Sequence, residues 1–277
     1  MTEGSRAVRA AARRVRWRER LFGLARQLLP DADRSWREGA LILLYHRIAD
    51  APGEDPFAVA LAEFDRQVEW LRARFGMLSV NELVARMAHG GDVRGLAAIT
   101  FDDGYDCTVS RALPVLRRHG VTATVFVDTG RLNAGGSAPR ESDVRALATA
   151  GIEIGSHTVN HPNLMDVDDA TLARELHESR ERLEGLIGKP VAGFAHPFGR
   201  YDARVTRAVA DAGYAYACTC RQHRTVRAND DVYQLTRVEI NASDDARRFA
   251  AKARGRYAPL YSAWYRLNPA TREWLRN

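Results

Sequence analysis

The stretch "LAAITFDDGYDCTVSRALPVLRRHGVTATVFV", residues 96–127, reads as a strand, a helix and a second strand in direct succession. Leu96–Phe101 is a short apolar run, Asp106–His119 carries helical periodicity, Gly120 stands where that helix should stop, and Thr122–Val127 is rich in β-branched residues. Two strands joined by a helical crossover lie parallel. Working outward, the same alternation continues in both directions. Strand-like runs occur at Leu41–Leu44, Ile152–Ile154, Val191–Ala195, Tyr214–Ala217 and Leu235–Ile240. Helical patterns occupy Leu61–Phe75, Val80–Met87, Glu141–Ala150, Asp169–Leu186 and Tyr201–Ala212, with Gly151 and Gly213 as further stops. Seven strands alternating with six helices predict an α/β fold with a parallel sheet curled into a closed or nearly closed barrel. Chemistry in such a barrel sits at the C-terminal ends of the strands.

The chain has 277 residues, 45% of them hydrophobic, enough to fill one sizeable core. Its 41 Lys+Arg against 35 Asp+Glu give a formal charge of +6, and Lys189 and Lys252 are the only lysines. Three cysteines, Cys107, Cys218 and Cys220, cannot build a disulfide framework and read as packing residues. Three segments are expected: a basic amphipathic helical extension over 1–38, the barrel over 39–243, and a basic, aromatic tail over 244–277. In the extension Val8, Val15, Phe22 and Leu29 form one apolar stripe beside an arginine-rich face. That helix either packs on the barrel or lies on an anionic membrane surface. Arginines interrupt residues 1–30 throughout, so no signal peptide is read there, and no segment is long enough to span a bilayer. A cytoplasmic protein, or one peripheral on the inner face of the membrane, is the expectation. The tail mixes arginines with Phe249, Tyr257, Tyr261 and Trp264, but no nucleic-acid motif accompanies it, and no nucleic acid is expected as a partner.

Polar residues collect at the strand ends. Leu96–Phe101 runs into Asp102, Asp103 and Gly104; Ile152–Ile154 into His157 and His161; Val191–Ala195 into His196, Pro197, Phe198 and Gly199; and "LILLYH", residues 41–46, delivers His46 to the same rim. Two histidines four apart on one side of a helical turn suit a shared metal ion. One carboxylate would complete a His₂Asp set. Successive residues Asp102 and Asp103 point different ways, so one can ligate while the other faces the reacting atom. Metal-assisted hydrolysis needs that division.

"TFDDG", "SHTVNHPNL" and "FAHPFG", with their connecting text, resemble the polysaccharide deacetylases, the NodB-homology carbohydrate esterases, over roughly residues 40–240. The resemblance implies a distorted (β/α)₇ barrel, Asp102 as catalytic base, and one divalent metal, usually zinc, on Asp103, His157 and His161. It also implies a substrate groove lined by His196, Pro197, Phe198 and Tyr105, with the Phe198 backbone N–H helping to hold the oxyanion. The implied reaction removes acetyl from an N-acetylglucosamine-type glycan, or from a lipid- or nucleotide-linked sugar.

Two departures stand out. Many members carry an arginine where Ala195 stands, and a late histidine that supplies the general acid; "LTRVEINASDD", residues 235–245, contains no histidine. The branch resembling poly-N-acetylglucosamine deacetylases opens instead on a strand ending in Tyr-His, which implies that His46 is the acid. Two alternatives stay open at this point: an amidohydrolase of the same fold acting on another amide or imide, and an inactive glycan-binding domain.

Overall fold

The computed structural model describes residues 38–51, 53–221 and 225–267. The helix expected over 6–29, with its stripe of Val8, Val15, Phe22 and Leu29, lies outside the described residues. The elements in chain order are β1 (Leu41–Tyr45), β2 (Arg47–Ala49), β3 (Ala58–Ala60), α1 (Leu61–Arg72), β4 (Gly76–Met77), α2 (Val80–Ala88), β5 (Leu96–Phe101), α3 (Leu113–His119), β6 (Thr124–Val127), α4 (Glu141–Thr149), β7 (Glu153–Ser156), α5 (Asp169–Ile187), β8 (Gly193–Ala195), α6 (Ala203–Asp211), β9 (Tyr216–Cys218), β10 (Val238–Glu239), α7 (Ala246–Ala253) and α8 (Ala258–Leu267). Seven strands run in the order β10-β1-β5-β6-β7-β8-β9, every pairing parallel. A parallel bridge between Cys218 and Leu235 joins the end of β9 to the segment that leads into β10. The sheet is therefore curled into the distorted barrel expected from the sequence, with one seam held by a single bridge.

Buried side chains alternate between the barrel interior and the helix layer, as the pleat requires. Leu41, Leu43, Tyr45, Ile99, Phe101, Val125 and Val127 join residues of the surrounding helices in one cluster, while Ile42, Ala98, Phe126 and Tyr216 join another. The helix expected from Asp106 starts differently: Thr108–Ala112 is a π-turn before α3. Pro114 explains this, since it has no N–H to offer the carbonyl of Ser110 and its ring crowds that oxygen. Gly120, at φ 63, ends α3 in the left-handed cap that a glycine adopts without strain.

Two helices, α7 and α8, follow the barrel where no helix was expected. Phe249 of α7 is 1% exposed and meets Trp70 of α1 edge-on at 5.6 Å. Lys252 is fully buried, its Nζ 2.7 Å from Asp244 and 3.1 Å from the carbonyl of Glu239. Tyr257 and Tyr261 are buried as well. These members of the basic, aromatic tail thus face the protein interior. Among the described residues no helix is long and apolar enough to cross a membrane.

Candidate active site

Asp102 and Asp103 leave β5 on opposite sides because the chain kinks there. Asp103 and Gly104 both take positive φ, 66 and 64. A side chain at position 104 would press against Val127 at 3.2–3.4 Å, so glycine permits the close pass. Asp102 turns inward and is 2% exposed; Asp103 stays at the rim.

The three expected metal ligands are brought together. His157 Nε2 lies 3.5 Å from Asp103 Oδ1 and 3.1 Å from His161 Nε2, and His161 Nε2 lies 3.8 Å from Asp103 Oδ1. Four-coordinate zinc with bonds of about 2.0–2.1 Å places its ligand atoms about 3.3–3.4 Å apart, so these separations fit one ion. The tautomer fits too. His157 Nδ1 is 2.8 Å from the carbonyl of Ala195, which can only accept, so Nδ1 carries the proton and Nε2 is free to ligate. Burial, helped by neighbouring His157, pushes the His161 pKa well below its usual value, so its imidazole is neutral at physiological pH. Among the described residues this is the one group of at least three His, Cys, Asp or Glu side chains able to hold a metal ion.

One local expectation is corrected. Residues 157–161 do not form a helical turn; they form an irregular loop with Thr158 at φ 72 and His161 at φ 53. The two imidazoles meet because the chain doubles back, not because a helix repeats every 3.6 residues.

A second correction concerns the arginine. It is absent at Ala195, but Arg237, immediately before β10 and so one strand removed from β5, pairs with Asp102. Its Nη1 and Nη2 donate to the two oxygens of Asp102 at 2.6 and 2.7 Å. The remaining donors reach Thr219 O at 2.9 Å, Thr100 Oγ1 at 3.1 Å and Cys220 Sγ at 3.8 Å, so all five N–H groups of the guanidinium have partners. Arg237 is completely buried. Burial alone would raise the Asp102 pKa; the charge of Arg237 and its two hydrogen bonds outweigh it and hold the carboxyl at about 2. The sequence signal was a lone arginine in the apolar strand "LTRVEI": a cation placed inside a sheet must be paired.

His46 follows β1, its ring 5.0 Å from Phe57 and its Nδ1 buried with no hydrogen-bond partner among the described residues. The groove residues divide. Phe198 is 56% exposed at φ 58, with its ring edge-on to His161 at 4.6 Å. Tyr105 is flanked by the guanidinium groups of Arg47 and Arg131 at 4.7 and 4.8 Å. Pro197 is buried, and His196 is fully buried, stacked on Tyr201 with its Nε2 3.3 Å from Tyr233 O. Burial lowers the His196 pKa to about 4, leaving it a neutral support beneath the loop.

Residues 90–217 match the profile of the family described as polysaccharide deacetylase. By that match residues 90–217 are similar to the polysaccharide deacetylases, and the curled parallel sheet is a distorted barrel of the deacetylase type. YxkH of Bacillus subtilis is 26% identical over 213 residues, covering 76% of this chain and 74% of that protein. Poly-beta-1,6-N-acetyl-D-glucosamine N-deacetylase of Staphylococcus aureus is 24% identical over 234 residues, covering 75% and 80%. Among solved structures, the deacetylase PplD of Streptococcus pyogenes superposes with a TM-score of 0.71 at 22% identity, covering 78% of this chain and 98% of that one.

Proposed function

We propose that this chain is a metal-dependent N-deacetylase of N-acetylglucosamine-type glycans or glycoconjugates. The observation that carries the reading is the cluster of Asp103, His157 and His161 at ligand spacing, directly beside a buried carboxylate that Arg237 keeps ionised. Asp103, His157 and His161 would hold one divalent ion, zinc by the chemistry of the donor set. When bound, the ion supplies Lewis acidity, polarising an acetyl carbonyl and making a water more acidic.

The chain's own groups account for the remaining work. Asp102, ionised at any physiological pH and fixed by two charge-assisted hydrogen bonds, accepts the proton of the attacking water. The backbone N–H of Phe198 donates to the carbonyl oxygen as it becomes negative. His46 gives a proton to the departing nitrogen, and an amine must be protonated to leave. The likeness to the Staphylococcus aureus enzyme supports a β-1,6-linked N-acetylglucosamine polymer as the substrate to try first.

The test is metal analysis of the purified chain together with amine release from N-acetylglucosamine oligomers. About one zinc per chain and zinc-dependent amine release are expected; a metal-free chain that releases no amine from any acetylated sugar ends the reading. His46→Ala should retain zinc and lower amide cleavage by ~10²–10⁴, the usual worth of a general acid. Its activity on an activated acetyl ester, whose leaving group needs little protonation, should fall far less. Equal losses on both substrates would make His46 structural.

A further inference from the structure

The loop that carries both histidines is held by a carboxylate outside the ligand set. Glu175, on α5, is 2% exposed and has no cationic partner among the described residues. Its Oε2 accepts the backbone N–H groups of Val159 and Asn160, each at 2.8 Å, and its Oε1 accepts Asn160 Nδ2 at 2.7 Å. All three donors belong to residues lying between His157 and His161. One turn later on α5, Ser179 Oγ is 2.8 Å from Ser156 Oγ, so the same helix also grips the residue before His157.

The loop needs this grip because its conformation is unfavourable. Thr158, at φ 72, is a β-branched residue in the left-handed region, and His161, at φ 53, shares that region. Each such residue is strained and persists only where its surroundings hold it. On the other side the N–H groups of Thr129 and Gly130 donate to the carbonyls of Thr158 and Val159 at 3.1 and 2.7 Å. Gly130 comes so close that a Cβ there would lie 2.3 Å from Val159 O. The peptide units between the ligands are thus clamped through their carbonyls by the Thr129–Gly130 turn and through their N–H groups by Glu175.

We propose that Glu175 is a positioning residue of the metal centre: by capping the N–H groups of Val159 and Asn160 it fixes the reversed loop that brings His161 Nε2 opposite His157 Nε2. The inference rests on the metal-site reading above. A buried carboxylate satisfied by two backbone N–H groups and one amide is a strong, directional anchor. Its removal leaves those donors buried and unpaired, and the loop relaxes toward ordinary backbone angles that separate the imidazoles.

The test measures zinc affinity of the full chain by competition with a coloured chelator, and the absorption spectrum of the cobalt-loaded protein. Glu175→Ala should bind zinc ~10–100-fold more weakly, the usual effect of losing an outer partner of a metal site, and should alter the cobalt bands. Excess zinc should restore its turnover, which a fold defect would not allow. Glu175→Gln should stay close to the parent: its carbonyl oxygen accepts both backbone N–H groups, and the Asn160 amide turns to accept its NH₂. Should Glu175→Ala fail to fold, Glu175→Asp keeps the charge but falls one methylene short of both amides, and weaker zinc binding is again expected. Parent-like affinity in folded Glu175→Ala or Glu175→Asp overturns the proposal, as does Glu175→Gln binding as weakly as Glu175→Ala. A parent chain that binds no zinc would instead sink the metal-site reading itself.

Discussion

Asp102→Asn keeps its zinc and loses turnover by ~10²–10⁴, whereas Asp103→Asn loses the zinc: that opposite pairing is expected of two adjacent carboxylates with separate work. Asp103 Oδ1 lies within 3.5–3.8 Å of both imidazole Nε2 atoms, while Asp102 approaches His157 Nε2 only to 4.0 Å and commits both oxygens to Arg237. Removing the charge at 102 therefore leaves the ligand set complete and takes away the proton acceptor. The asparagine also turns an NH₂ toward the guanidinium, donor against donor, so a lower melting temperature accompanies the kinetic loss. Metal content and kcat should be measured at a temperature where circular dichroism shows the variant folded. A zinc-free Asp102→Asn protein beside a zinc-loaded Asp103→Asn protein would exchange the two roles.

The barrel was legible in the sequence because its signals are local. Apolar runs of a few residues, helical spacing between them and a glycine at each stop specify strand and helix without knowledge of what packs against what. The strand ends are local too, so Asp102, Asp103, His157, His161 and His46 could be placed on one rim before any contact was known. Arg237 was not legible in that way. Its meaning depends on β10 lying beside β1, which sets a residue 135 positions away in sequence against Asp102. The segment "LTRVEINASDD" holds no histidine, and nothing local in it marks the arginine's partner, because buried pairing is a property of the fold, not of a motif. The helices α7 and α8 were hidden for a related reason: Phe249 and Lys252 read as an aromatic and a cation in a basic tail, and only the Asp244 carboxylate and the Glu239 carbonyl show why a lysine can be buried there. Spacing brings His157 and His161 together on paper through a helical turn, whereas the chain itself forms an irregular loop there. A reversed loop held by Glu175 achieves the pairing that a helical turn would have offered.

Arg237→Met should separate what the arginine does for stability from what it does for the reaction. In the parent, the Asp102 carboxyl is held at about 2 in the folded chain, below its unfolded value of about 3.9. Its pairing with Arg237 therefore stabilises the fold above the unfolded pKa and is lost as pH falls from about 4 to about 2. Without the guanidinium the effect of burial is no longer offset and the carboxyl rises above its unfolded value, so ionising it opposes folding. The variant should be ~3–5 kcal/mol less stable than the parent near neutral pH, the cost of leaving one partner of a buried ion pair alone, and the gap should narrow on acidification as Asp102 takes up its proton. Urea denaturation at neutral pH and again near pH 4 reads both parts. The reaction should respond in the same sense: the acid limb of the kcat/KM profile, which in the parent lies below the physiological range, should move up by more than one pH unit, since the base works only when ionised. Zinc content should be unchanged, because Arg237 contacts none of the three ligands. A variant that is destabilised by the same amount at both pH values, with an acid limb where the parent has it, would show that Arg237 fills space in the barrel and does not govern the charge of Asp102.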